Sequence, residues 1–156
     1  MSASPFYINE SIANFILKFI ESKCDINVKD SHKQTTLIYA CRYNIIKLAL
    51  FLIENKANID IQDKYKDSAL ILSCYNNNTE IALKLIENKC DIDLQNNEEN
   101  TALILSCYRN NIEIALKLIE NKANIDLQDD DGCTALMWLC RYNNIEIISI
   151  LLENKI

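Results

Sequence analysis

The 156-residue chain has one glycine, one proline and one histidine. So little glycine and proline excludes collagen-like, proline-rich and Gly/Ser linker sequences and disfavours a turn-dense β-sandwich. One histidine leaves Cys/His zinc sites and histidine-dependent catalysis poorly supplied. Basic residues number 16 against 22 acidic ones, for a net charge of −6 and a pI near 4.8. The basic footprint of a phosphate-backbone binder is missing. No apolar run approaches the ~18 residues of a membrane span, and Lys47 interrupts the run over 45–53. The residues from Met1 to Glu10 carry neither the basic region nor the apolar stretch of a secretory signal. The expectation is a cytoplasmic, soluble chain, without membrane or nucleic-acid partners, whose sequons at Asn9 and Asn77 go unglycosylated.

Three residue types are abundant instead. Ile (25), Asn (20) and Lys (13) supply 58 residues, all with A/T-rich codons. This reads as the imprint of an A/T-rich genome, so part of the Asn and Lys content is expected to be mutational rather than chemical. With 49% apolar and 24% charged residues, the chain has the balance of one globular domain.

An internal repeat decides the fold class. Ile-Glu-Asn-Lys stands at 86–89 and 119–122, Leu-Ile-Glu-Asn-Lys at 52–56 and Leu-Glu-Asn-Lys at 152–155, always 33 residues apart. The units are 30–62, 63–95, 96–128 and 129–156, preceded by a capping half-unit over 1–29. Units 63–95 and 96–128 share 23 of 33 residues. Each unit predicts two helices. The first follows an N-cap at Thr35, Ser68, Thr101 or Thr134 and breaks at Asn44, Asn77, Asn110 or Asn143, because Asn tolerates the left-handed conformation that ends a helix. The second, such as 113–120 with Ile114, Leu118 and Ile119 on one face, stops at Lys56, Lys89, Lys122 or Lys155. A hairpin-like polar turn leads into the next unit.

These residues resemble the ankyrin repeat. Thr-Ala-Leu-Ile-Leu-Ser-Cys (101–107) is similar to the family's Thr-Pro-Leu-His-x-Ala-Ala. Asn110-Asn-Ile-Glu-Ile114 matches its Gly-His-x-Glu-Ile, and Lys122-Ala-Asn-Ile-Asp126 its Gly-Ala-Asp-Val-Asn. The resemblance covers 12–156 and implies an all-α solenoid of stacked helix-turn-helix units with neighbour-only contacts. The family's Pro is replaced by Thr36, Ala69, Ala102 and Ala135, and its His by Ile38, Ile71, Ile104 and Met137. Both helix-ending glycines are lost, and Gly132 alone survives in a turn. The cap's inward face is assigned to Ile12, Phe15, Ile16, Phe19 and Ile20. Ile148 and Ile150 make the last helix unusually apolar: it packs differently, is covered by a partner, or is followed by further repeats.

The seven cysteines do not form a metal or disulfide pattern. Cys41, Cys74, Cys107 and Cys140 share one repeat position, where the family has a small Ala, and Cys24 and Cys90 share another with Ala57 and Ala123. All six are read as core packers, since free Cys behaves as a small hydrophobe. Cys133 falls in a turn and is the one candidate reactive thiol. His32, in the first turn beside Lys33, reads as a solvated loop residue. Asp129-Asp-Asp-Gly132 lacks the alternating spacing of a calcium loop. With no phosphate loop, paired-carboxylate cleft or cofactor fingerprint, the expectation is no enzyme, no metal and no cofactor.

Surface positions carry the remaining signal. The most alike units differ at ten positions, six of them consecutive in the turn: 63–68 against 96–101. Loop drift and adaptation to a partner both account for this. The three arginines, Arg42, Arg109 and Arg141, all lie in the two residues that close the first helix, as do Tyr43, Tyr75, Tyr108 and Tyr142, and Asn76. By the resemblance, this site and the turn tips form a concave binding surface. Trp138 and Tyr39 border it, and Tyr65, Glu98, Glu99, Asp130 and Asp131 occupy the tips. Tyr, Trp and Arg are enriched in interface hot spots; the plainer alternative is that the tyrosines only pack between helices and were copied by duplication. The expectation is a monomeric, non-catalytic module binding an unidentified protein with a basic segment; the rival is a structural or regulatory segment of a larger protein.

Overall fold

The computed structural model describes Lys18, residues 25–145 and residues 147–149. The cap residues Ile12, Phe15, Ile16, Phe19 and Ile20, with Cys24, Ile150 and Lys155, lie outside the described residues. Four short helices recur at steps of 33: α1 (Thr36–Arg42), α3 (Ala69–Tyr75), α5 (Ala102–Tyr108) and α7 (Ala135–Arg141). Between them stand α2 (Ile46–Glu54), α4 (Thr79–Glu87) and α6 (Ile112–Glu120). α1, α3 and α5 each pack on the long helix that follows them, successive short helices pack on one another, and the long helices pack in a second row. Among the described residues there is no strand, only a bridge between Gln128 and Thr134. The chain is an all-α solenoid.

Local chemistry accounts for each element. Thr35, Ser68 and Thr101 are extended, and each side-chain oxygen accepts the N–H of Ile38, Ile71 or Ile104, satisfying one orphan donor of the first turn. Thr134 takes the same backbone position without that bond. Asn44, Asn77, Asn110 and Asn143 all have positive φ, from 53° to 58°. They close the short helices with paired bonds: Asn77 donates to the Cys74 carbonyl at 3.1 Å and Asn78 to the Ser73 carbonyl at 2.8 Å, the Schellman arrangement. Lys56, Lys89 and Lys122, at φ 63°, 60° and 66°, close the long helices in the same way. A third left-handed series escapes the sequence reading: Lys33, Lys66, Glu99 and Gly132 at the turn tips, φ 57° to 75°.

The core runs through all units as one layer between the helix rows, with Leu37, Leu48, Leu52, Leu70, Ile81, Leu85, Leu103, Ile114 and Leu118 fully buried. Cys41, Cys74 and Cys107 lie in it, and Cys90 joins Ala57 and Ala123 at the second small-residue position. Burial pushes all four thiols up to about 12; hydrogen bonds with Ser73 and Ser106, each from the following unit, partly oppose this at Cys41 and Cys74. Cys140 corrects the core-packing reading: it is exposed. The described residues contain no following short helix to cover it. Ile147 is buried and Ile148 packs half-buried against the core.

Several asparagines have structural tasks. Asn78 and Asn111 accept the N–H of Ile81 and Ile114 on Oδ1 and so cap α4 and α6. Their amide groups donate backward, Asn78 to Asn44 and Asn111 to Asn77, and Asn144 repeats the link to Asn110 at 3.3 Å. This asparagine ladder ties neighbouring units together. A second ladder runs along the turns, where Asn58, Asp91 and Asn124 donate backbone N–H to Asn27, Asp60 and Asp93 at 2.7–2.8 Å.

Candidate interaction surface

The turn tips are built on one repeated device. Asp30, Asp63, Asn96 and Asp129 each accept two backbone N–H groups on Oδ1, from the second and fourth residues after them. Successive tips are then joined by one main-chain bond each. Lys64 donates to the His32 carbonyl at 2.9 Å, Asn97 to Tyr65 at 2.9 Å and Asp130 to Glu98 at 3.0 Å. The tips thus form a continuous ribbon beside the ends of the short helices.

The residues closing those helices have divided tasks. Tyr43, Tyr75, Tyr108 and Tyr142 are all exposed, from 39% to 61%. Arg109 lies with its guanidinium 4.2 Å from the Tyr75 ring centroid and 5.4 Å from that of Tyr108. Tyr108 meets Trp138 edge-on at 4.9 Å, and Arg141 lies 5.6 Å from the Trp138 ring. Tyr39 stacks on Tyr43 at 6.0 Å. Rings and guanidinium groups from three units therefore touch in sequence, from Tyr75 through Arg109, Tyr108 and Trp138 to Arg141.

Two of the sequence-predicted residues are engaged within the fold. Arg42 reaches into the next tip, donating to Asp63 at 2.7 Å and Asp67 at 3.2 Å. The Asp63 carboxylate is fully enclosed, so this ion pair holds one unit on the next. The Asn76 amide donates to the Cys41 and Arg42 carbonyls at 2.9 and 3.1 Å, satisfying the open end of α1 from the following unit. Asp129, in the acidic tip, is likewise internal: its second oxygen accepts the Trp138 indole N–H at 3.0 Å. Asp30 does the same for the Tyr39 hydroxyl at 2.9 Å. The Gln34 N–H, with that hydroxyl, holds the Asp30 carboxyl below its usual range and, through the same bond, Asp30 holds the Tyr39 phenol above its own.

The remaining tip residues face solvent. Glu98, Glu99, Asp130 and Asp131 are exposed, with no ion-pair partner among the described residues. Tyr65 is 49% exposed, with Lys64 Nζ 4.7 Å from its ring. His32 is exposed, its ring 3.8 Å from Asp30 and 3.3 Å from the Ser31 hydroxyl. Sequence reasoning missed a groove of about 320 Å³ between the tips and α3 and α5, over Leu72 and Leu105 and beside Tyr65 and Tyr75. The signal was the alternation Tyr39, Leu72, Leu105, Trp138 at one repeat position. The outer row presents charge instead, with Lys84 on Glu54 at 3.5 Å and Lys117 on Glu120 at 3.1 Å.

Among the described residues, no group of His, Cys, Asp and Glu is arranged to hold a metal ion, and no helix is long and apolar enough to cross a membrane. Comparison with the curated proteins returns no match. The family model for ankyrin repeats in three copies matches residues 1–96 and again 70–156. Ankyrin repeats are generally protein–protein interaction modules, and their fold is typically non-catalytic. With its 33-residue units, paired helices and joined tips, the chain belongs to the ankyrin repeat family.

Proposed function

We infer that the chain is a non-catalytic module that binds a partner protein through its concave face and turn tips. One observation supports this above the others: the run of exposed rings and guanidinium groups from Tyr75 to Arg141, beside an unpaired acidic tip. Aromatic and Arg side chains are the usual energetic anchors of an interface. The units are braced against each other by the asparagine ladder and by Arg42, so the surface is presented already formed and little ordering entropy is lost on docking. Tyr43, Tyr65, Tyr75, Tyr108, Trp138, Arg109 and Arg141 supply contact area. Glu98, Glu99, Asp130 and Asp131 orient a basic segment of the partner and speed its approach. Arg42 and Asn76 act from beneath, by fixing the tip and the helix end. The module works as a monomer, without cofactor, in the cytoplasm, where its thiols stay free.

The test uses the whole chain as bait, with partners captured from lysate identified by mass spectrometry and their affinity and kinetics then measured. Tyr75→Ala combined with Tyr108→Ala weakens binding by about 2 kcal/mol or more. Asp130→Lys with Asp131→Lys mainly slows association and flattens or inverts its salt dependence. Lys84→Ala with Lys117→Ala, on the outer row, leaves binding unchanged. Loss with the lysine pair and silence of the tyrosine pair would place the interface on another face.

A further inference from the structure

The position held by Tyr39 has equivalents at Leu72, Leu105 and Trp138. In the first and last of these units an aromatic side chain crosses from the short helix to its own tip. It closes there on the tip's aspartate, Tyr39 on Asp30 at 2.9 Å and Trp138 on Asp129 at 3.0 Å. Leucine is too short to make that crossing and has no polar atom for it. Between the two leucine units the space stays open as the 320 Å³ groove.

Its chemistry limits what enters. The floor is Ile71, Leu72 and Leu105, and the rings of Tyr65 and Tyr75 stand half-exposed above it. A volume at the low end of the ~300–1,000 Å³ range of ligand sites suits a single large side chain better than a cofactor. Along the rim, Asp67 is already satisfied by Arg42 at 3.2 Å and the Asn96 amide at 3.1 Å. Glu98 is exposed and has no cation, and Asp130 is bonded to its backbone in the adjoining tip. An apolar slot is therefore bordered on its Glu98 side by negative charge without an ion-pair partner, while Lys64 and Arg109 lie over the rings of Tyr65 and Tyr75.

We propose that this groove is a socket for a partner segment in which a large apolar side chain stands beside a lysine or arginine. The apolar group lies between Tyr65 and Tyr75 on the leucine floor. The basic group reaches Glu98 and, with it, the acidic tip at Asp130 and Asp131. An acidic group at that place meets the Glu98 carboxylate instead of a cation. This rests on the concave-face reading of function and narrows it to one subsite and one partner chemistry.

The probe is a phage-displayed library of random dodecapeptides selected on the whole chain, with the recovered peptides synthesised for titration. Recovered sequences share a Leu, Met, Phe or Trp close to a Lys or Arg. Leu105→Tyr, which installs the kind of ring found in the first unit, weakens the peptides about 30-fold or more, as losing a hot-spot residue does. Circular dichroism confirms that the variant is folded. If it is not, Glu98→Lys decides, and it should switch preference to peptides whose basic residue is exchanged for Glu. Recovery of no peptide, of peptides without the apolar-basic pair, or of peptides indifferent to both variants overturns the socket. Peptides indifferent to the filled groove but lost with Tyr108→Ala would leave the concave face as the binding surface and remove only this subsite. Peptides indifferent to that variant too would remove both.

Discussion

Arg109 sits with its guanidinium 4.2 Å above the ring of Tyr75, a residue one unit earlier in the solenoid. The equivalents of Arg109 at the 33-residue period are Tyr43, Asn76 and Tyr142, none of them a cation. The contact is therefore particular to units 63–95 and 96–128. A double-mutant cycle with Arg109→Ala and Tyr75→Ala, read by urea unfolding, should give a coupling of about 0.5–1 kcal/mol, the range for an exposed cation–π pair. A coupling near zero would mean that the stacked arrangement contributes nothing to the free chain.

Asn111 performs two tasks with one side chain, capping α6 through Oδ1 and tying to Asn77 through Nδ2. Asn111→Ala should destabilise the protein by about 1–2 kcal/mol, since it removes a cap and an inter-unit bond together. Asn111→Asp retains the cap acceptor but not the donor, so its loss should fall between those of wild type and Ala. Equal losses for the two variants in chemical denaturation would show that the ladder bond is silent.

Lys122 holds φ 66° without the freedom of glycine. A left-handed non-glycine residue carries roughly 1–2 kcal/mol of strain, more than the unfolded-state entropy that glycine adds. Lys122→Gly should raise Tm by about 2–4 °C. An unchanged or lower Tm in calorimetry would show that this helix end tolerates Lys without strain.

The thiols separate by burial. Titration with a chromogenic disulfide, resolved by site with mass spectrometry, should modify Cys140 and Cys133 quickly and Cys41, Cys74, Cys90 and Cys107 slowly. Stoichiometric zinc, or a bridge between Cys41 and Cys74, would defeat this assignment.

The same burial sets a dependence on pH. The folded pKa values near 12 exceed the usual 9, so the native state keeps protons that the unfolded chain releases. This contribution is intact below pH ~9 and declines as pH rises toward the folded values, at up to about 1.4 kcal/mol per pH unit for each thiol. Cys74→Ala with Cys107→Ala should flatten the alkaline loss of stability. An unaltered slope would assign that loss to other groups.

Much of the fold was legible because its signals are local. Thr35, Ser68 and Thr101 cap from within their own helix, and the Asn and Lys helix ends sit at fixed distances after apolar runs. Lys33, Lys66 and Glu99 were not legible as left-handed residues, because neither Lys nor Glu favours that conformation and only Gly132 marked the position. The tasks of Arg42 and Asn76 were hidden for another reason. Their partners, Asp63 and the Cys41 carbonyl, belong to neighbouring units and become visible only once the units are stacked. Cys140 was misread through assuming that a repeat position keeps its environment in every copy; among the described residues no further short helix covers it.

Successive tips are stitched to one another by a main-chain bond, as from Asn97 to Tyr65 and from Asp130 to Glu98. A backbone bond is indifferent to the side chain it carries. Units 63–95 and 96–128 share none of the six residues over 63–68 and 96–101, yet both keep the same joint and the same left-handed residue in fourth place. The Asp or Asn that opens each tip is bound to the scaffold by its side chain, as are the caps Ser68 and Thr101, Asp67 through Arg42 and Asn96, and Asn97 through the Lys64 carbonyl. The other tip residues can be rewritten from copy to copy without disturbing the frame, so a new recognition pattern needs no new architecture.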